Sequence, residues 1–104
     1  MSIVSVYAVF ANAEEAERIG RIVVEERLAA CVNILGPVRS IYRWKGKIES
    51  ADEVAAIFKT HHWSSDALMA RIAALHSYEV PCVVTWSINK ILRDYADWVE
   101  DSTR

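Results

Sequence analysis

The chain has 104 residues, 53% of them apolar, with 12 basic against 14 acidic side chains. That length suits one domain (1–104) built round one core, and the apolar share excludes a disordered, highly charged chain. A formal charge of −2 and no long Lys/Arg run exclude a dedicated nucleic-acid surface; the densest basic stretch, Arg39 to Lys47, is broken by Ile41, Tyr42 and Trp44.

The opening MSIVSVYAVF has no positive n-region and falls far short of a membrane span, so a cytoplasmic protein without a membrane partner is expected. Residues 3–10 carry apolar side chains on both parities, which predicts a central strand. Asn12 is placed to cap the next helix, with Glu14 and Glu15 in its first turn. Ala16, Ile19, Gly20, Val23, Val24 and Leu28 recur at spacings of three and four, so that helix is expected over 13–28. Cys31 to Leu35 reads as a second strand, interrupted by Gly36-Pro37 and resumed as VRSIYRW. Lys45-Gly46 reverses the chain, and KIESADEVAAIFKT returns as a third strand. Bulges are expected at Gly36-Pro37 and near Ser50 to Asp52. A hairpin this long overhangs the core of so small a domain, and its apolar tip needs a partner. Ser64 or Ser65 caps a second helix over 66–76, striped by Leu68, Ile72 and Leu75. Val80 to Trp86 reads as a fourth strand, with Pro81 at an edge or first position. Ile88 to Val99 reads as a last helix.

The order is β-α-β-β-α-β with an added C-terminal helix, the α+β ferredoxin-like signature. Both inner helices then cover one sheet face. The apolar surplus leaves the other face to a neighbouring subunit, and four tryptophans agree with an interface.

No HExxH, CxxC, GxSxG or glycine-rich phosphate loop occurs, and the chain has only three glycines. This points away from a structural zinc site and from catalysis, and no catalytic residue is assigned. The third strand also lacks the RNA-recognition pattern. The remaining soft donors are Cys31, Cys82 and His76, whose thiolate and imidazole groups suit Cu(I) or zinc. Each has a plainer reading: the cysteines as small core hydrophobes, His76 as a cap on the last carbonyls of its helix. His61-His62 stand at a strand-to-helix junction and read as solvated.

Three segments together resemble the CutA family of divalent-cation tolerance proteins over almost the whole chain. They are ERLAACVN (26–33), SIYRWKGKIE (40–49) with FKT (58–60), and HSYEVP (76–81), joined by Tyr95 and Trp98. The resemblance implies a PII-like homotrimer of ferredoxin-like subunits with interlocking hairpins. It implies a non-enzymatic protein of copper or divalent-ion tolerance, with no required cofactor and any divalent metal weakly bound. Its implied partners are further copies of itself and divalent ions. Matched by position, Cys31 is the cysteine of AACVN. Tyr42, Trp44 and Gly46 belong to a Y-x-W-x-G hairpin, Lys59 and Thr60 to K-T, and His76 and Tyr78 to an H-H-P-Y form. Leu75 stands for the other histidine of that form, Ser77 for its proline, Cys82 for a common glutamate and Ala8 for a first-strand cysteine. The expectation is a metal set of His76, Cys31 and Cys82, beside an inter-subunit cleft holding Tyr42, Trp44, Lys59 and Tyr78. The alternative is a scaffold or signalling trimer that takes a small effector or partner protein in those clefts.

Overall fold

Strand β1 (Ile3–Phe10) is an inner strand, as its apolar pattern requires. A computed structural model describes residues 3–104 and sets β1 between β3 (Lys47–His61) and β4 (Val83–Ser87), with β2 (Cys31–Trp44) outside β3. Every pairing is antiparallel. Helices α1 (Ala13–Glu25) and α2 (Ser65–Leu75) cover one face. Val6, Ala8 and Phe10 of β1, Ala56 and Phe58 of β3, Ile19 and Val23 of α1, and Leu68 and Ile72 of α2 are fully buried between them. Each of the larger ones contributes about 1.5–3 kcal/mol through loss of apolar surface from water. The fold is the expected ferredoxin-like α+β arrangement with an added C-terminal helix, α3 (Arg93–Ser102).

Local chemistry sets the bounds of α1. The Asn12 Oδ1 accepts from the Glu15 N–H at 2.8 Å, and Glu15 Oε1 accepts from the Ala11 N–H at 3.0 Å. These satisfy N–H groups that a helix start leaves unpaired. At the other end Arg27 takes a left-handed φ of 63°. The Leu28 N–H then reaches the Val23 carbonyl and the Arg27 N–H the Val24 carbonyl, each at 3.0 Å, the pattern of a Schellman end. The helix therefore stops at Glu25, short of the expected Leu28. Gly20 lies where α1 crosses β2: a Cβ there would sit 2.9 Å from Val32 Cγ1.

The β2–β3 hairpin turns through Lys45 (φ 51°) and Gly46 (φ 81°), both left-handed, as a two-residue hairpin of this twist demands. The register shifts between Ile34 and Gly36, so the bulge expected there is present. The one expected near Ser50 to Asp52 is absent. Arg39, Ser40 and Ile41 pair in register with Asp52, Ala51 and Ser50, and the Arg39 guanidinium donates across the ladder to Asp52 (2.9 Å) and Ser50 (3.1 Å). Every residue from Ile41 to Ser50 is exposed, and the molecule measures 45 × 26 × 22 Å because this arm projects past the helices.

Three further boundaries move. A 3-10 turn (His62–Ser64) precedes α2; Ser64 makes no side-chain cap, and the Ser65 hydroxyl donates to the His62 carbonyl at 2.7 Å. Strand β4 starts at Val83, since Pro81 has no N–H to give a ladder and Val80 is exposed. Helix α3 starts at Arg93. Ile88 and Ile91 instead pack from non-helical backbone on a second cluster of Ile3, Ala30, Ala96 and Val99. This cluster covers one end of the second sheet face. Farther along that face Val84 and Trp86 stay exposed, with the Trp86 ring 5.0 Å from Tyr7. Among the described residues no helix is long and apolar enough to cross a membrane.

Candidate functional site

The site forms where α2 ends and the chain turns toward β4. His76 follows α2 with extended backbone (φ −71°, ψ 147°), and its buried ring stacks on Phe10 at 5.1 Å. Nδ1 accepts from the Tyr78 N–H at 3.0 Å, which puts the ring proton on Nε2. Nε2 then donates to the Val9 carbonyl at 2.7 Å. His76 thus ties the turn to β1. Contrary to the sequence expectation, it does not cap the carbonyls of its own helix, and both of its nitrogens are engaged elsewhere.

Glu15 braces the turn from α1. Its Oε2 accepts from the Ser77 N–H at 2.9 Å while Oε1 holds Ala11. Burial pushes its carboxyl up, but the hydrogen bonds from Ser77 and Ala11 outweigh this and hold it below its ordinary value. Tyr78, placed by His76, donates its hydroxyl to Glu53 Oε2 at 2.7 Å. Burial and then that bond push its phenol well above the usual range, so it remains a donor.

Glu53 is 8% exposed and reaches this point from β3. It borders a groove of about 690 Å3 together with Tyr7, Tyr42, Trp44, Tyr78 and Cys82. Exposed Arg43 also borders it. The hairpin supplies one wall and the 76–82 turn another. Burial and then the Glu53 charge push the Cys82 thiol up, so the protonated form is favoured.

The expected residues divide into two groups. Tyr42, Trp44, Tyr78 and Cys82 line the groove, with His76 behind Tyr78. Cys31 and Lys59 pair with each other in the row of Ser5. Cys82, whose carbonyl accepts from Val9 at 3.3 Å, lies about 13 Å away along the strands and about 14 Å across them. Cys31 Sγ instead meets the Tyr95 hydroxyl at 3.4 Å. Among the described residues no three His, Cys, Asp or Glu side chains converge as a metal site. Sequence reasoning missed Glu53, Glu15 and Tyr7. Glu53 carried a signal: it is an acid on the strand parity of Ala55 and Ile57.

A four-stranded antiparallel sheet, two helices on one face and a projecting hairpin define an α+β protein of the ferredoxin-like, PII-like class. A sequence profile described as CutA1 divalent ion tolerance protein matches residues 4–102, and the chain belongs to that family. It is 41% identical over 97 residues to the divalent-cation tolerance protein CutA of Thermotoga maritima, covering 93% of this chain and 95% of the relative. The crystal structure of CutA from Xylella fastidiosa superposes with a TM-score of 0.96 at 33% identity, covering 100% of both chains. A structure from Archaeoglobus fulgidus, described as a periplasmic divalent cation tolerance protein, gives 0.94 at 37% identity over 98% of this chain and 99% of that one.

Proposed function

We propose that this chain acts as a single-domain, homotrimeric, non-enzymatic tolerance protein that binds copper or a related divalent ion. Family membership carries the reading. Assembly is supported by Ile41 and Ile48, 74% and 63% exposed on the projecting arm, and by Val84 and Trp86 on the uncovered sheet face. A cytoplasmic location is part of the same proposal, and the free thiols of Cys31 and Cys82 suit a reducing compartment. His76, Cys31 and Cys82 do not meet within one chain. We therefore place the ion at Cys82 and Glu53, with further ligands from a second copy or solvent. His76 holds the turn behind them.

Two measurements test this. Light scattering is expected to give about three times the 11.8 kDa chain mass; a stable monomer refutes assembly. Titration of tag-free protein with Cu(I), Cu(II) and Zn(II) is expected to give binding weakened by Cys82→Ser and Glu53→Gln. Millimolar affinity indifferent to both changes refutes the metal site.

A second reading is an effector or scaffold trimer. The observation favouring it is the groove itself. At about 690 Å3, with four aromatic rings, it lies within the roughly 300–1,000 Å3 of small-molecule sites and is far larger than an ion needs. A thermal-shift screen of small organic molecules, run with metal chelated, tests it; no stabilising compound would count against it.

A further inference from the structure

The charge in the groove indicates what kind of organic molecule the second reading would need, and this inference rests on that reading. Glu53 is nine-tenths buried, and only one of its oxygens is engaged, by the Tyr78 hydroxyl. Oε1 accepts no hydrogen bond, and no Lys, Arg or His pairs with Glu53 among the described residues. This free oxygen is not sealed off from solvent, so it stands open to a cation that enters the groove. Around it stand Tyr7, Tyr42, Trp44 and Tyr78. Aromatic faces carry negative potential and attract ammonium groups while covering the carbon body attached to them. Trp44 already takes such a contact at the hairpin tip, where Lys45 Nζ lies 5.7 Å from its ring centroid.

We propose that the groove binds a small organic ammonium ion. Its positive nitrogen pairs with Glu53 Oε1, and its apolar body lies against the aromatic rings. A bare metal ion suits this arrangement less well: among the described residues no three His, Cys, Asp or Glu side chains converge, although exposed Glu79 borders the same groove. Glu79 and Arg43, both exposed at the border, offset each other, which leaves Glu53 as the carboxylate set deep in the groove wall.

The test uses the full, assembled protein and three probes with one ring and different charge: benzylammonium, benzyl alcohol and benzoate. Calorimetry at neutral pH is expected to show benzylammonium binding about tenfold tighter than the alcohol, with benzoate weakest. Glu53→Gln keeps an acceptor for Tyr78 and is expected to abolish the preference while leaving alcohol binding unchanged. Trp44→Leu, at an exposed position, is expected to weaken the amine and the alcohol together. Benzoate binding as tightly as the amine, or a preference that survives Glu53→Gln, overturns the inference but leaves the effector reading standing. Failure of all three probes to bind overturns the inference, while the effector reading stands or falls on the broader thermal-shift screen. Dissociation of the assembly by Glu53→Gln, seen in light scattering, assigns the carboxylate to holding subunits together instead of a ligand and also overturns the inference.

Discussion

Glu15→Gln tests whether one buried carboxylate holds the turn that shapes the groove. Glu15 accepts from Ala11 at 3.0 Å and from Ser77 at 2.9 Å, each through a different oxygen. Glutamine has one acceptor oxygen and turns an NH2 toward the other donor. One backbone N–H is then left facing a donor, and a charge-assisted bond is lost. Such a loss costs about 1.5–3 kcal/mol. In a domain of this size each kcal/mol moves Tm by about 4–8 °C, so a fall of roughly 10 °C is expected at neutral pH. The sign of the pH dependence follows from the lowered folded-state value of Glu15. Its contribution is fully present above the unfolded-state pKa and is lost as pH falls through the folded one. Below both, wild type carries a carboxylic acid with one acceptor and one donor, much like the amide. Circular-dichroism melts of both proteins, at equal concentration and from neutral pH down to about pH 3, are therefore expected to converge. A gap of constant size across that range, or no gap at neutral pH, refutes the reasoning.

Gly20→Ala is expected to destabilise despite a gain of about 1 kcal/mol in helix propensity, because the new Cβ meets Val32 Cγ1 at 2.9 Å and overpacking costs about 1–3 kcal/mol. A urea double-mutant cycle with Val32→Ala checks it; additive effects would sink the steric account. Arg27→Gly is expected to raise the unfolding free energy measured in urea by about 0.5–1 kcal/mol, since glycine takes the φ of 63° without a Cβ penalty; a loss of stability would show that the arginine side chain outweighs its backbone. Glu53→Gln removes a negative charge that raises the Cys82 pKa, so its iodoacetamide alkylation profile is expected to shift to lower pH. An unmoved profile would mean that burial alone sets that thiol.

The sheet and its two helices were legible because their signals are local and repeated. Apolar residues on both parities marked β1 as inner, and the helical spacing from Ala16 to Val23 marked α1. Errors arose where a boundary depends on one backbone angle or one distant partner. Arg27 does not announce a left-handed helix end as glycine would. Ile88 and Ile91 have helical spacing, yet they pack on Ile3 and Ala30, which the local pattern cannot place. His76 meets Val9 across 67 residues of chain, so its sequence neighbourhood suggested only a cap. The groove residues Tyr42, Trp44 and Tyr78 came from family resemblance. Glu53, which gives them a charge to work with, was passed over because lone acids in strands are common on solvent faces.

Residue type suggests a ligand; unused lone pairs make one. Both His76 nitrogens are engaged, Cys31 Sγ meets Tyr95, and the Cys82 thiol is held toward its protonated form. Among the described groove residues Glu53 pairs a largely buried side chain with an unengaged oxygen, while Glu79 is exposed, so a metal ion and an organic ammonium would compete for the same atom. They differ in what happens to Cys82. A metal drawn in by Glu53 that also takes Cys82 must displace the thiol proton, since thiolate is the ligand form. An ammonium held by Glu53 and the rings displaces none. Calorimetry in two buffers of different ionisation enthalpy is therefore expected to show about one proton released per metal bound and none per benzylammonium. Metal binding without proton release, or release that persists in Cys82→Ser, would take Cys82 out of the metal site and leave the ion to the carboxylates of the groove, Glu53 and Glu79.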